Sequence, residues 1–132
     1  MTGIETEVTA DTGSSNSIRL VLDRTAVSSP EGYRLKVGKR DITITGSSEA
    51  GIFYGIQTLR KSLPVTGQKE ISFPAVQILD EPEYRYRGMH LDVGRHFFST
   101  DFIKKYIDII ALHNLNTFHW HLTDCLLYTS PS

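Results

Sequence analysis

With 132 residues, 39% of them apolar and 22% charged, the chain has the make-up of an ordinary globular protein, as one domain or as a small domain with part of another. A formal net charge of -1, with basic residues no denser than the Lys104-Lys105 pair, excludes the electrostatic footprint of a nucleic-acid or anionic-membrane binder. No apolar run approaches the ~18 residues of a membrane-spanning helix, the first residues lack the pattern of a secretory leader, and the single Cys125 has neither a disulfide partner nor zinc-site spacing. Neither a nucleic acid nor a membrane is therefore expected as a partner.

Residues 1–16, rich in Thr, Gly and Ser without sustained periodicity, read as a flexible lead-in. Three alternating segments follow, carried by Ile18, Leu20 and Leu22, by Tyr33, Leu35 and Val37, and by Ile42 and Ile44, with Gly38-Lys39-Arg40 joining the last two. This pattern predicts a half-buried antiparallel sheet. From Ser48 the period changes: Ile52, Phe53, Ile56, Leu59 and Leu63 share one helical face, Glu49 suits the first turn, and Arg60 and Lys61 suit the last before Pro64. Gly51 and Gly55 each weaken a helix by about 1 kcal/mol relative to Ala, so a close approach of helix to sheet is expected to compensate. The apolar stretch Ile71 to Leu79 is interrupted by Pro74 and reads as an edge strand or an extended connector. Residues 17–80 are thus expected to form a small α+β domain, with a boundary at Asp80-Glu81-Pro82-Glu83.

A second unit opens at Tyr84. A strand is predicted over Tyr84 to Val93, and Ser99 is a candidate N-cap with Asp101 in the first helical turn. Phe102, Ile103, Tyr106, Ile107, Ile109 and Ile110 give the helix a broad apolar face, and Asn114 is a candidate for its left-handed C-terminal residue. A second strand is predicted over Leu115 to Thr123, with His119 and His121 on one side and aromatic groups on the other. A strand, a helix and a strand of this size form a parallel βαβ portion of a larger sheet or barrel, whose polar residues gather at the carboxyl ends of the strands.

Arg95 lies just past the first of those strands, where its planar fork of donors suits two sugar hydroxyls or one carboxylate. Pairing with Asp92 or with a helix carboxylate is an equally weighted structural explanation. His119 and His121 share a face and raise the possibility of a divalent-metal site, but the other candidates, His90, His96, His113 and Asp124, have no ligand spacing, so packed, hydrogen-bonded histidines are favoured. Asp124, at the end of the second strand, is placed to orient another polar group or to cap a helix. Phe97, Phe98 and Trp120 are assigned to the core.

The segments Arg87-Gly88-Met89-His90-Leu91-Asp92-Val93-Gly94-Arg95-His96-Phe97-Phe98 and Leu115-Asn116-Thr117-Phe118-His119-Trp120-His121-Leu122-Thr123-Asp124 closely resemble the start of the catalytic barrel of family 20 glycoside hydrolases, the β-N-acetylhexosaminidases. The resemblance extends back through Gly51-Ile52-Phe53-Tyr54-Gly55-Ile56-Gln57-Thr58-Leu59 and so covers roughly residues 17 to 124. It implies an α+β domain at 17–80 followed at 84–124 by the first βαβ portion of a truncated (β/α)8 TIM barrel. It further implies that Arg95 grips hydroxyls of a terminal N-acetylhexosamine and that Asp124 supports a histidine contacting the catalytic acid. The implied reaction is retaining and substrate-assisted, the sugar's acetamido oxygen attacking the anomeric carbon while a Glu protonates the leaving oxygen and an adjacent Asp steadies the acetamido group. The implied partners are glycans or glycoconjugates ending in GlcNAc or GalNAc, with no cofactor and no metal.

After Asp124 the family continues with a second acid and a Gln-Gly-Trp segment, whereas this chain reads Cys125-Leu126-Leu127-Tyr128-Thr129-Ser130-Pro131-Ser132. Residues 125–132 are accordingly read as a tail foreign to the protein, and the general acid with its Asp partner as absent. The chain alone is expected to be inactive. The rival expectations are a metal-dependent TIM-barrel hydrolase using His119 and His121, and a non-catalytic carbohydrate-binding or partner-binding fragment whose working part is residues 17–80.

Overall fold

The computed structural model describes residues 7–10, 16–64 and 70–123. The chain divides into two compact units, Met1–Glu83 and Tyr84–Ser132.

The first unit contains β1 (Ser17–Leu22), β2 (Tyr33–Val37), β3 (Asp41–Gly46), α1 (Glu49–Lys61) and β4 (Val76–Asp80). The strands form one sheet in the order β1-β3-β2-β4. Alternation along β2 and β3 drives Tyr33, Leu35, Val37 and Ile44 into the core, where they meet Tyr54 and Leu59 of α1. Register aligns one rung of this face as Leu20, Ile44, Leu35 and Ile78.

The expectation of a wholly antiparallel sheet is corrected at β1, which runs parallel to β3, while β2 pairs antiparallel with both β3 and β4. Alternation fixes which residues face inward but carries no information on strand direction. Direction is set by the connections. Gly38 N–H donates to Asp41 O at 2.8 Å and closes a short turn that forces β3 back along β2. Residues 23–32 are long enough to step across the end of β3, and Ser47 and Ser48 hold them there through hydroxyl bonds to the Ser29 and Pro30 carbonyls. Of the two readings of Ile71 to Leu79, the edge strand is the one observed, as β4 after Pro74.

Ser48 caps α1 by accepting from Ala50 N–H and Gly51 N–H, with Glu49 in the first turn and Arg60 and Lys61 in the last. The contact line of this helix is not the expected one. Phe53 and Ile56 are exposed, while Gly51, Tyr54, Gly55, Gln57 and Leu59 are buried. The two glycines decide this orientation: a methyl group on Gly51 would strike the Gly32 carbonyl, and one on Gly55 would strike the Ile44 side chain. The close helix-sheet approach expected from them is therefore present.

The second unit contains β5 (Gly88–Asp92), α2 (Thr100–Leu112) and β6 (Thr117–His121), with β5 and β6 paired in parallel from Gly88↔Thr117 to Asp92↔His121. Ser99 caps α2 by accepting from Phe102 N–H at 3.3 Å. Beyond its end Asn114 adopts φ 59°, the left-handed turn expected there. The amino-terminal end of the strand pair is fastened by Asn116, whose Oδ1 accepts from Arg87 N–H at 3.0 Å and whose Nδ2 donates to Arg85 O at 2.6 Å. Arg87 adds donations from Nε to Asn114 O and from a terminal nitrogen to Tyr84 O. Of the broad apolar face of α2, Ile103 and Ile110 are buried, whereas Ile107 and Ile109 are exposed. Among the described residues no helix is long and apolar enough to cross a membrane.

Candidate functional site

In a parallel pair, residues opposite one another in register share a face, and faces alternate along each strand. Met89 and Leu91 therefore share the α2 side with Phe118 and Trp120, where Tyr106 of α2 meets the Phe118 ring at 5.5 Å between centroids. The opposite side gathers the polar residues, because His90 stands across from His119 and Asp92 across from His121. The His90 ring lies 4.7 Å from that of His119 and 6.1 Å from that of His121, and the latter two are 6.4 Å apart.

The sequence identified His119 and His121 but gave His90 no place beside them and treated Asp92 only as a partner for Arg95. Both omissions have one cause. His90-x-Asp92 and His119-x-His121 are separated by a whole helix, and only strand register brings them together. His90 and His119 are exposed and His121 half-buried, so the expectation of packed histidines is corrected to rings in contact with one another on an open strand face. Among the described residues no three His, Cys, Asp or Glu side chains are grouped so as to hold a metal ion.

Arg95 follows the carboxyl end of β5. Its side chain is 75% exposed, and its Nε lies 3.6 Å from Asp92 Oδ2. Asp92 Oδ1 also accepts from Gly94 N–H at 3.0 Å and from Arg95 N–H at 3.4 Å, and Val93 N–H donates to His121 O at 3.0 Å. The pairing of Arg95 with Asp92, weighed from the sequence, is thus present. Burial pushes the Asp92 carboxyl upward, but the amide bonds from Gly94 and Arg95, followed by the charges of His121 and Arg95, hold it below the usual carboxylate range. Asp124 lies outside the described residues, as does the segment 125–132.

The assignment of Phe97 and Trp120 to the core is corrected, with Phe97 92% and Trp120 44% exposed, whereas Phe98 is half-buried and stacks on Phe102. Together with Val93, Ile103 and Lys104 these aromatics line a cavity of about 300 Å3 on the α2 side of the strands. Two strands and one helix are too few to close over them. The one adjacent Asp-Glu pair in the sequence, Asp80-Glu81, belongs to the first unit. There Asp80 accepts from the Tyr33 hydroxyl and Glu81 from the Ser28 hydroxyl.

Two family models match the chain. Residues 1–81 match the one described as "Glycosyl hydrolase family 20, domain 2", and residues 84–128 the one described as "Glycosyl hydrolase family 20, catalytic domain". The chain is 46% identical over 117 residues to the "Beta-hexosaminidase" of Porphyromonas gingivalis, an alignment covering 84% of this chain and 15% of that protein. It is 37% identical over 112 residues to the "Beta-N-acetylhexosaminidase" of Cellulomonas fimi, covering 85% of this chain and 23% of the relative. Among solved structures, the family 20 β-N-acetylhexosaminidase of Streptomyces coelicolor A3(2) superposes with a TM-score of 0.73 at 42% identity, covering 81% of this chain and 23% of that one. The chain thus spans less than a quarter of the length of these relatives, and over that span it belongs to glycosyl hydrolase family 20.

Proposed function

We propose that this chain is part of an exo-acting β-N-acetylhexosaminidase that hydrolyses terminal N-acetylhexosamine residues of glycans or glycoconjugates. In this reading residues 17–80 are the α+β domain that precedes the catalytic barrel, and residues 84–124 are the barrel's first βαβ portion. The observation that carries it is the placement of Arg95: an arginine tethered at the carboxyl end of a parallel strand, within the segment that matches the catalytic-domain family model. The guanidinium edge beyond Nε has the geometry to hold neighbouring hydroxyls of a sugar ring.

The chemistry assigned to the whole protein is retaining and substrate-assisted. The acetamido oxygen of the bound sugar displaces the leaving oxygen at the anomeric carbon, a Glu supplies the proton, and an adjacent Asp stabilises the acetamido group as it gains positive charge. Asp124 supports the histidine beside that Glu. The family resemblance assigns the acid pair to later barrel strands; the Asp80-Glu81 pair of this chain lies in the first unit, where it accepts from the Tyr33 and Ser28 hydroxyls. The chain by itself is therefore assigned no turnover, no cofactor and no metal.

A chimera tests this reading: residues 1–123 of this chain joined to the part of the Streptomyces coelicolor relative that follows the matching segment. Release of the chromophore from a chromogenic N-acetylglucosaminide is expected from the chimera and not from the 132-residue chain. Arg95→Ala is expected to lower kcat/KM by roughly 100-fold, the equivalent of two charge-assisted hydrogen bonds at about 1.5 kcal/mol each. A folded chimera that turns over while ignoring Arg95→Ala contradicts the role given to this arginine. Turnover by the 132-residue chain contradicts the assignment of the acid to a later strand.

A further inference from the structure

We propose that Asp92 is a positioning residue that sets the direction of Arg95 by holding its backbone and its guanidinium at the same time. The functional value of that direction rests on the reading of Arg95 as a sugar contact; the geometry stands without it. Asp92 is the last residue of β5, so its Cα is fixed by the ladder to β6, where it stands opposite His121. One carboxylate oxygen receives the amides of Gly94 and Arg95, and the other faces Arg95 Nε at 3.6 Å. The Val93 amide is tied across to the His121 carbonyl. Three successive amides after the strand are thus anchored, and the side chain leaving the third is ion-paired at its inner nitrogen.

Magnitude decides what this arrangement is for. The Arg95 side chain is 75% exposed, and an ion pair this open to water adds little to stability. The Asp92–Arg95 ion pair is thus a weak contributor to folding. Its effect falls on geometry, because a free arginine side chain carries rotamer entropy that must be lost when the fork engages a ligand. Restraining Nε removes part of that freedom beforehand and leaves the two terminal nitrogens, the edge suited to a pair of hydroxyls, unengaged by Asp92.

Substitution separates a turn-forming role from an aiming role. In Asp92→Asn the amide oxygen still accepts from Gly94 and Arg95, while an NH2 group replaces the oxygen facing Nε and sets donor against donor. Asp92→Ala removes both functions. The measurement is 15N NMR relaxation of the Arg95 Nε–H group in the full 132-residue chain, its signal assigned by its loss in Arg95→Lys. The expected result is an Nε–H order parameter clearly higher in the native chain than in Asp92→Asn, with the Gly94 and Arg95 amide shifts retained in that variant. In Asp92→Ala both the order and the amide shifts are expected to be lost. An Nε–H equally ordered in the native chain and in Asp92→Asn, or equally mobile in both, overturns the proposal. The measurement contains no sugar, so the tether can fail while the chimera turns over, or stand while the chimera does not.

Discussion

Tyr33 is 2% exposed, yet its hydroxyl donates to Asp80 Oδ2 at 2.9 Å and lies 2.6 Å from Thr58 Oγ1. Burial is the largest influence on this phenol; the Thr58 bond opposes it, the Asp80 bond and charge reinforce it, and the pKa is pushed up to about 12. Below about pH 10 the phenol is protonated in folded and unfolded chains alike. Between roughly pH 10 and 12 the unfolded chain gives up a proton that the folded one keeps, so stability falls as pH rises through that window. Urea midpoints of the native chain are expected to drop from pH 9 to pH 11.5, and Tyr33→Phe is expected to flatten the drop while costing about 1 kcal/mol at pH 7. Gly51 and Gly55 provide a second check. Alanine is the better helix former by about 1 kcal/mol, yet Gly51→Ala and Gly55→Ala are each expected to destabilise by about 1–3 kcal/mol, because the added methyl groups meet the Gly32 carbonyl and the Ile44 side chain. An increase in the urea midpoint for either variant would contradict the fit between α1 and the sheet.

At the level of elements, the sequence spoke clearly wherever the determinant was local. Ser48, Ser99 and Asn114 each satisfy or reverse the backbone within a few residues of themselves, and each does so where its residue type and neighbours indicate. The direction of β1 and the rotation of α1 were not legible, because both depend on partners distant in the chain: the crossing at residues 23–32 and the close seat of Gly51 and Gly55 on the sheet. The candidate site divides in the same way. Arg95 and its Asp92 partner lie within one turn of chain, whereas the meeting of His90 with His119 and of Asp92 with His121 requires the register of two strands. Asn116 is another element-level determinant without a sequence signature, since its side chain imitates a strand partner for the backbone of Arg85 and Arg87. Asn116→Ala is expected to cost about 0.5–1.5 kcal/mol in the second unit and to speed amide exchange at Arg87 and Thr117 more than at Phe102 in α2. Uniform acceleration across the unit would argue against a local fastening.

On the scale of the molecule, the two units differ in how much they bury. The first has a core of Tyr33, Leu35, Val37, Ile44, Tyr54 and Leu59. In the second, Ile103 and Ile110 are the buried hydrophobic side chains among the described residues, while Ile107, Ile109, Trp120 and Leu122 are 44–63% exposed. Each large side chain fully removed from water contributes about 1.5–3 kcal/mol, so the second unit has several such contributions unrealised. Hydrogen exchange of the 132-residue chain is expected to be at least tenfold slower at Leu35 and Ile44 than at Leu91 and Phe118, a gap of about 1.4 kcal/mol or more in opening free energy. Equal protection in the two units would contradict this ranking. The parallel seat of β1 also has a kinetic side. The β2–β3 turn closes locally through Gly38 and Asp41, whereas β1 reaches β3 only across the whole of β2 and its flanking loops. Hairpins assemble in about 1–10 microseconds, and distant pairings wait for the loops between them to close. The outer rim of β3 is consequently the last to be clothed, and until β1 arrives it offers a bare row of amides and carbonyls to any extended segment that drifts past.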